Sequence, residues 1–325
     1  MVTSKVLYYP YIALPPSQWL IQMLLYWDKV GTITPYDFVQ EPDRHEPFTR
    51  SLIREGLVQQ VIPSWYLGGV PDFVSAFVGY LESLAPQRLD QRRRAFESTT
   101  GFKIHVEKLD TLEYEFRKSG LARPADRPWL EVEQETAKEF MIYLAAVLGR
   151  LPDLGYAPVT DDDKYLERFV EGRPQESAVG RVDLLRIQVL NDLLPGPRRP
   201  VTVEEIARFK DRHGDQLRRF RRHIEEELTM AADLSDEGLR QRRIELLVDG
   251  AHEEIREIQT RMGEAGWGEV VLGKLYAVLA AIPGVSPVFG LASTLYNAFT
   301  GADRLDTRSP YLYAAHVREL LGTTV

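Results

Sequence analysis

A short proline-rich segment, Pro195-Gly196-Pro197-Arg198-Arg199-Pro200, divides the chain into two parts with different patterns. Three prolines in six residues cannot continue a helix or occupy a central strand, because proline lacks the backbone N–H and has a fixed φ angle. The chain of 325 residues is also longer than an ordinary domain with one core. The sequence therefore predicts two domains, residues 1–195 and residues 196–325.

The first predicted domain alternates short strands with amphipathic helices. Val6–Tyr9 is an aromatic and β-branched run that ends at Pro10. Pro16-Ser17 then opens a helix whose apolar residues recur every three or four positions. Phe102–Val106 alternates in the manner of a half-buried strand. This order of elements predicts an α/β domain with a parallel or mixed sheet covered by helices.

The second predicted domain has the spacing of long helices. Thr202 and Glu205 form a capping box, which marks the start of a helix. Apolar residues then follow at intervals of three or four through Leu228, and a second such stripe runs from Leu239 to Met262. Two long helices joined by a short turn pack side by side, so we expect an antiparallel helical hairpin over 202–263 within a mainly α-helical domain.

Leu275–Ala302 contains no charged residue over 28 positions. Pro283-Gly284 and Pro287 interrupt it, and each piece is shorter than the roughly 20 residues that a membrane-spanning helix needs. We therefore expect a buried helical hairpin with Leu279 facing inward, and membrane contact is disfavoured. A partner-binding apolar surface that includes Leu279 remains an alternative.

Three consecutive carboxylates, Asp161, Asp162 and Asp163, follow the short strand-like run 157–160. The carboxyl ends of strands are where α/β folds place catalytic or metal-binding groups. Asp161 and Asp162 are thus candidate catalytic residues, with Asp28 as a further candidate, and Asp161 and Asp163 are candidate ligands of a divalent metal. The alternative is a purely structural role, in which these aspartates cap the next helix.

The most basic cluster of the chain consists of four arginines around one aromatic residue on the first predicted long helix. Such a cluster can bind nucleic-acid phosphates. On a helix, however, successive residues turn by about 100°, so the four side chains spread over three sides. The chain has 40 basic and 48 acidic residues, which gives nucleic-acid binding weak support. These candidate interaction residues are Arg218, Arg219, Arg221 and Arg222.

Several classes of site are excluded by missing residues. The chain has no cysteine, so disulfides and thiolate metal sites are ruled out. It has neither a glycine-rich phosphate loop nor a paired-histidine metal motif. No cofactor is therefore expected, apart from a divalent metal if the aspartates form a site. The apolar run at the N-terminus is broken by prolines and therefore does not have the pattern of a signal peptide. This difference predicts a cytoplasmic protein.

The N-terminal pattern consists of Tyr8-Tyr9-Pro10 with Ile12, then Trp19-Leu20, then Leu25–Val30, and then Pro35. This pattern resembles a family of uncharacterised bacterial proteins. Weaker similarities continue along most of the chain. The resemblance implies a bacterial, cytoplasmic protein in two parts, and it transfers no activity and no catalytic residue.

Three functions remain open at this stage. The first is a non-catalytic interaction or accessory protein of a bacterial multi-component system, such as a defence system, with a protein partner or a second copy of the chain. The second is a metal-assisted hydrolase or nuclease that uses the acidic residues. The third, which has the least support, is a membrane-acting effector that works through 275–302.

Overall fold

The structure is a computed structural model that describes residues 4–161, 178–280 and 308–323, with the backbone alone over 178–181, 183–184, 187 and 263–280. It divides into two compact units. The first comprises Met1–Ser177 with Thr202–Arg208, and the second comprises Ala178–Val201 with Phe209–Val325. The fold class predicted from the sequence, an α/β part followed by a mainly helical part, is confirmed.

The elements of the first unit alternate as the sequence predicts. Its described strands are β1 (Lys5–Tyr8), β2 (Lys29–Ile33), β3 (Val58–Val61), β4 (Phe102–His105), β5 (Ala122–Pro124), β6 (Trp129–Val132) and β7 (Tyr156–Val159). Its described helices are α1 (Gln18–Tyr26), α2 (Tyr36–Gln40), α3 (Pro47–Arg54), α4 (Phe73–Ser83), α5 (Pro86–Ser98), α6 (Val106–Leu109), α7 (Leu112–Lys118) and α8 (Gln134–Arg150).

Four parallel strands form the main sheet in the order β3-β2-β1-β7. Because all four run the same way, the residues after β1, β2, β3 and β7 meet at one edge. That carboxyl edge is where α/β folds bind their ligands. The sheet is buried, as the apolar residues Val6, Leu7, Val30 and Ile33 indicate.

Phe102–Val106 was predicted as a strand, and the structure places most of it in a second, antiparallel sheet of order β4-β6-β5. Val106 begins α6 instead. Ile104 and Leu130 from this sheet are buried in a core that also contains Phe77, Phe116 and other aromatic residues. The second sheet therefore packs beside the main sheet, near the carboxyl edge of the main sheet.

Trp27 lies at the end of α1, a helix that begins where the Ser17 hydroxyl accepts a hydrogen bond from Leu20 N. Its side chain is buried and packs edge-on against Tyr26 with ring centroids 5.0 Å apart. We expect Trp27→Ala to lower the free energy of unfolding by about 3–5 kcal/mol, because it leaves a large cavity. Urea denaturation measures this value, and Trp65→Ala is the control because Trp65 is exposed. An equal loss in the two variants would contradict the packing described.

The described helices of the remaining chain are α9 (Ala178–Leu193), α10 (Val203–Ala232), α11 (Glu237–Ala280) and α12 (Leu312–Leu321). The predicted hairpin corresponds to α10 and α11, and α11 continues beyond 263. An ion pair of 2.9 Å between Glu227 and Arg243 joins the two helices near their short turn. The apolar stripes contact the C-terminal segment, as Phe220 and Tyr313 do with ring centroids 5.8 Å apart.

The boundary predicted at 195 falls inside the second unit, because α9 packs with the helices that follow it. Arg186 on α9 forms two hydrogen bonds of 2.6 and 2.7 Å with Glu225 on α10. Arg318 on α12 donates to the backbone oxygens of Asp192 and Leu193 at the end of α9. These buried polar contacts tie 178–201 to the helical unit.

The uncharged segment 275–302 lies mostly outside the described residues. Its first residues continue α11 as backbone, and the side chain of Leu279 falls outside the description. Within the described part of the chain, none of the helices combines the length and apolar content that crossing a membrane requires.

Candidate functional site

A cavity of about 280 Å³ lies in the first unit, just beyond the carboxyl ends of β1 and β2. One part of its wall follows those two strands, and another part comes from the second sheet and α6. The residues that line it include Tyr11, Ala13, Phe38, Arg44, His45, Glu46, Phe102, Lys103, His105, Lys108, Trp129 and Met141. The cavity thus occupies the edge of the sheet at which α/β proteins bind small molecules.

Lys108 is the most unusual residue of this wall. It belongs to α6, a single turn that directly follows β4, and only 4% of its surface is exposed. No described residue accepts a hydrogen bond from its Nζ atom. Burial lowers the pKa of Lys108 to about 7, although the nearby Glu107 carboxylate acts in the opposite direction. A large fraction of this amine is therefore neutral at physiological pH.

His45 presents an unused donor on the same wall. Its Nε2 atom lies 2.8 Å from Gln60 Nε2, so Nε2 accepts that hydrogen bond and the ring proton is on Nδ1. Nδ1 is buried and has no hydrogen-bond partner in the described part of the chain. Burial lowers the pKa of His45, so the ring is neutral at pH 7. A buried N–H without an acceptor is costly, and a ligand in the cavity can supply the acceptor.

Asp37, His105 and Glu107 form a cluster beside the cavity, with one donor atom of each within 4.8 Å of the others. The spacing suits a metal ion, and His105 Nε2 and Asp37 Oδ1 have no hydrogen-bond partner in the described part of the chain, but the tautomer of His105 does not suit one. His105 Nδ1 accepts from Glu107 N at 3.3 Å, which leaves the proton on Nε2, 3.4 Å from Asp37 Oδ2. A histidine binds a metal ion through a nitrogen lone pair, and the proton on His105 Nε2 occupies the lone pair that would face the ion.

The two carboxylates of this cluster are also engaged by the protein. Glu107 accepts hydrogen bonds from Tyr36 N at 2.6 Å and from the Ser64 hydroxyl. Asp37 accepts one from Arg44 at 2.6 Å. The cluster therefore links α2, the loop after β3 and α6, and in this way fixes the turn that carries Lys108.

The structure does not bring together the aspartates that the sequence singled out. Asp28 precedes β2, and its backbone N donates to Ser4 O at the amino end of β1. Asp161 follows β7 and accepts a hydrogen bond of 2.8 Å from the Tyr8 hydroxyl at the carboxyl end of β1. The two carboxylates thus lie at opposite edges of the sheet. Asp162 and Asp163 fall outside the described residues.

The predicted arginine cluster also divides. Arg218 pairs with Asp215 on the surface, and Arg219 and Arg222 are exposed. Arg221 is buried, with 6% of its surface exposed. Because a buried guanidinium cannot contact a phosphate outside the protein, the four arginines do not form one continuous binding surface.

No motif or spacing in the sequence singles out Lys108 or His45 as a site residue. One local signal was present, since a lysine follows the predicted strand 102–106 within two residues, where side chains near a strand end reach a sheet edge. The other residues that line the cavity with Lys108 are mostly distant in sequence, such as Tyr11 and His45.

Comparisons with protein-family models, with curated proteins and with solved structures give no match. The predicted role as an interaction or accessory protein, the predicted partners and the resemblance to a bacterial family therefore stay predictions.

Proposed function

We propose that the first unit binds a small molecule that has one planar apolar part and one anionic group. The observation that carries this proposal is Lys108, a buried amine without a hydrogen-bond partner among the described residues, on the wall of a cavity at the carboxyl edge of the sheet. Burial of such a group costs stability, and perturbed groups in clefts are concentrated at functional sites.

The shape of the cavity supports a ligand with one ring. Its volume of about 280 Å³ is just below the range of about 300–1,000 Å³ that is typical of ligand pockets. Aromatic side chains form much of the wall, and Tyr11 and Phe102 pack with ring centroids 5.6 Å apart. Flat apolar surfaces favour a planar group packed against them.

The charge of the wall supports an anionic group. Three basic side chains, Arg44, Lys103 and Lys108, line the cavity, together with one carboxylate, Glu46. The unused Nδ1–H donor of His45 adds a neutral hydrogen bond. A carboxylate, which accepts several hydrogen bonds, matches these donors.

Binding of 4-methylbenzoate, measured by isothermal titration calorimetry at pH 7, tests this proposal. We expect saturable binding with one site per chain, and weaker binding of the neutral 4-methylbenzyl alcohol. Ala13→Trp fills the cavity from a lining position and should weaken binding by ~10-fold or more. Ala76→Trp, at an exposed position on α4, is the matched control and should bind normally.

Absence of saturable binding to the unmodified protein would overturn the proposal. Equal binding by Ala13→Trp and the unmodified protein would also overturn it, because the ligand would then occupy another place. Circular dichroism of both tryptophan variants checks that each is folded.

A further inference from the structure

We propose that Lys108 forms a covalent imine with an aldehyde or ketone group of the bound molecule. This inference rests on the proposed function and deepens it, since it assigns the ligand to the class of small aromatic carbonyl compounds with an anionic group. The cavity then positions a carbonyl carbon beside an amine, rather than only holding an anion.

Three features of Lys108 support this chemistry. A lysine can attack a carbonyl only when its amine is neutral, and burial among apolar groups is the usual way to obtain a neutral amine. Lys108 is 4% exposed, it lines the cavity, and its Nζ atom donates to no described residue. The lowered pKa of about 7 is consistent with this environment.

The groups around Lys108 have different roles in the proposed binding. Glu107 and His105 are the ionisable groups that act on its charge, and both are held in the hydrogen-bonded cluster beside the cavity. Arg44 is already paired with Asp37 and Glu41, so Lys103 and the Nδ1–H of His45 are the donors for the anionic group, and Lys108 is left for the carbonyl.

The proposed step balances without an oxidant or a reductant. The lone pair of Lys108 Nζ attacks the carbonyl carbon, and proton transfer from nitrogen to the former carbonyl oxygen gives a carbinolamine. Loss of that oxygen as water leaves a carbon–nitrogen double bond. Addition of water reverses the sequence and restores the amine and the carbonyl compound.

Reductive trapping with 4-formylbenzoate and sodium borohydride, read by peptide mass spectrometry, tests this step. Borohydride converts an imine into a stable secondary amine, so we expect the modification on the peptide that contains Lys108. The rate of labelling of Lys108 should reach half its maximum near pH 7. An ordinary exposed lysine has a pKa of about 10.4, so its rate of labelling continues to rise well above pH 7.

Two substitutions distinguish the role of the Lys108 amine from the role of its positive charge. Lys108→Met and Lys108→Arg should both abolish the specific modification, and the arginine variant keeps a cation on the wall. Lys118→Met is the control, since Lys118 is an exposed lysine at the end of α7 and is not among the residues that line the cavity, and labelling of Lys108 should persist in it. Excess 4-methylbenzoate should protect Lys108.

The possible failures are distinguishable. If 4-methylbenzoate binds in the cavity but 4-formylbenzoate leaves Lys108 unmodified, the imine is overturned and the binding function stands. Labelling of Lys108 no faster than that of exposed lysines at pH 7 also overturns the imine. If neither compound binds, the proposed function itself fails, and the imine fails with it.

Discussion

Replacement of Lys108 by methionine should raise the free energy of unfolding at pH 7 by several kcal/mol, which is the opposite of the usual effect of a core substitution. The buried amine loses most of its hydration on folding, and no described residue replaces it with a hydrogen bond. Methionine has a similar length and carries no charge, so it removes this cost while it keeps the apolar contacts. Urea denaturation measures the difference, and Lys103→Met should change stability by less than about 0.5 kcal/mol.

The same difference should depend on pH in a specified direction. The folded protein binds the Lys108 proton with a pKa of about 7, lowered from an ordinary value of 10.5. Between these values the unfolded chain binds more protons, so stability rises with pH by up to about 1.4 kcal/mol per unit. The advantage of Lys108→Met should therefore be greatest below pH 7 and shrink as the pH approaches 10.5. A constant difference over this interval would show that the amine is not desolvated.

The second large effect concerns Arg92 on α5, which forms two hydrogen bonds of 2.7 Å with the carboxylate of Glu139 on α8. Both side chains are more than nine-tenths buried. Arg92→Met removes one partner and leaves a desolvated carboxylate, so the free energy of unfolding should fall by about 3–5 kcal/mol. Arg88→Met is the control, because exposed Arg88 lies 4.0 Å from the same carboxylate and such pairs contribute little. Comparable losses in both variants would contradict this assignment.

The predictable parts of the fold are those that depend on local sequence. The strand before Pro10, the helix capped by Ser17 and the helices that form the hairpin follow from spacing and caps, which neighbouring residues determine. The separate antiparallel sheet was missed, because alternation in 102–106 indicates a strand but not its partner or its direction.

The site was less predictable because its chemistry comes from contacts over long sequence distances. Arg92 occurs in a run of three arginines that suggests an exposed surface, yet Glu139 on another helix makes it a buried ion pair. Asp28 and Asp161 both flank strands, and only the sheet topology shows that they lie at opposite edges. The sequence does not distinguish Lys108 from a surface lysine, and only the fold shows that it lies on the cavity wall.

An NMR titration of the Lys108 amine tests most directly whether this amine is desolvated in a ligand cavity. Protein labelled with [6-¹³C]lysine gives a signal for each lysine side chain, and the signal absent from Lys108→Met identifies Lys108. Followed from pH 5 to pH 11, this signal should titrate with a midpoint near pH 7, and saturating 4-methylbenzoate should shift the midpoint upward because the bound carboxylate stabilises the protonated amine. A midpoint near 10.4, unchanged by the ligand, is the value of a solvated lysine and would contradict the account.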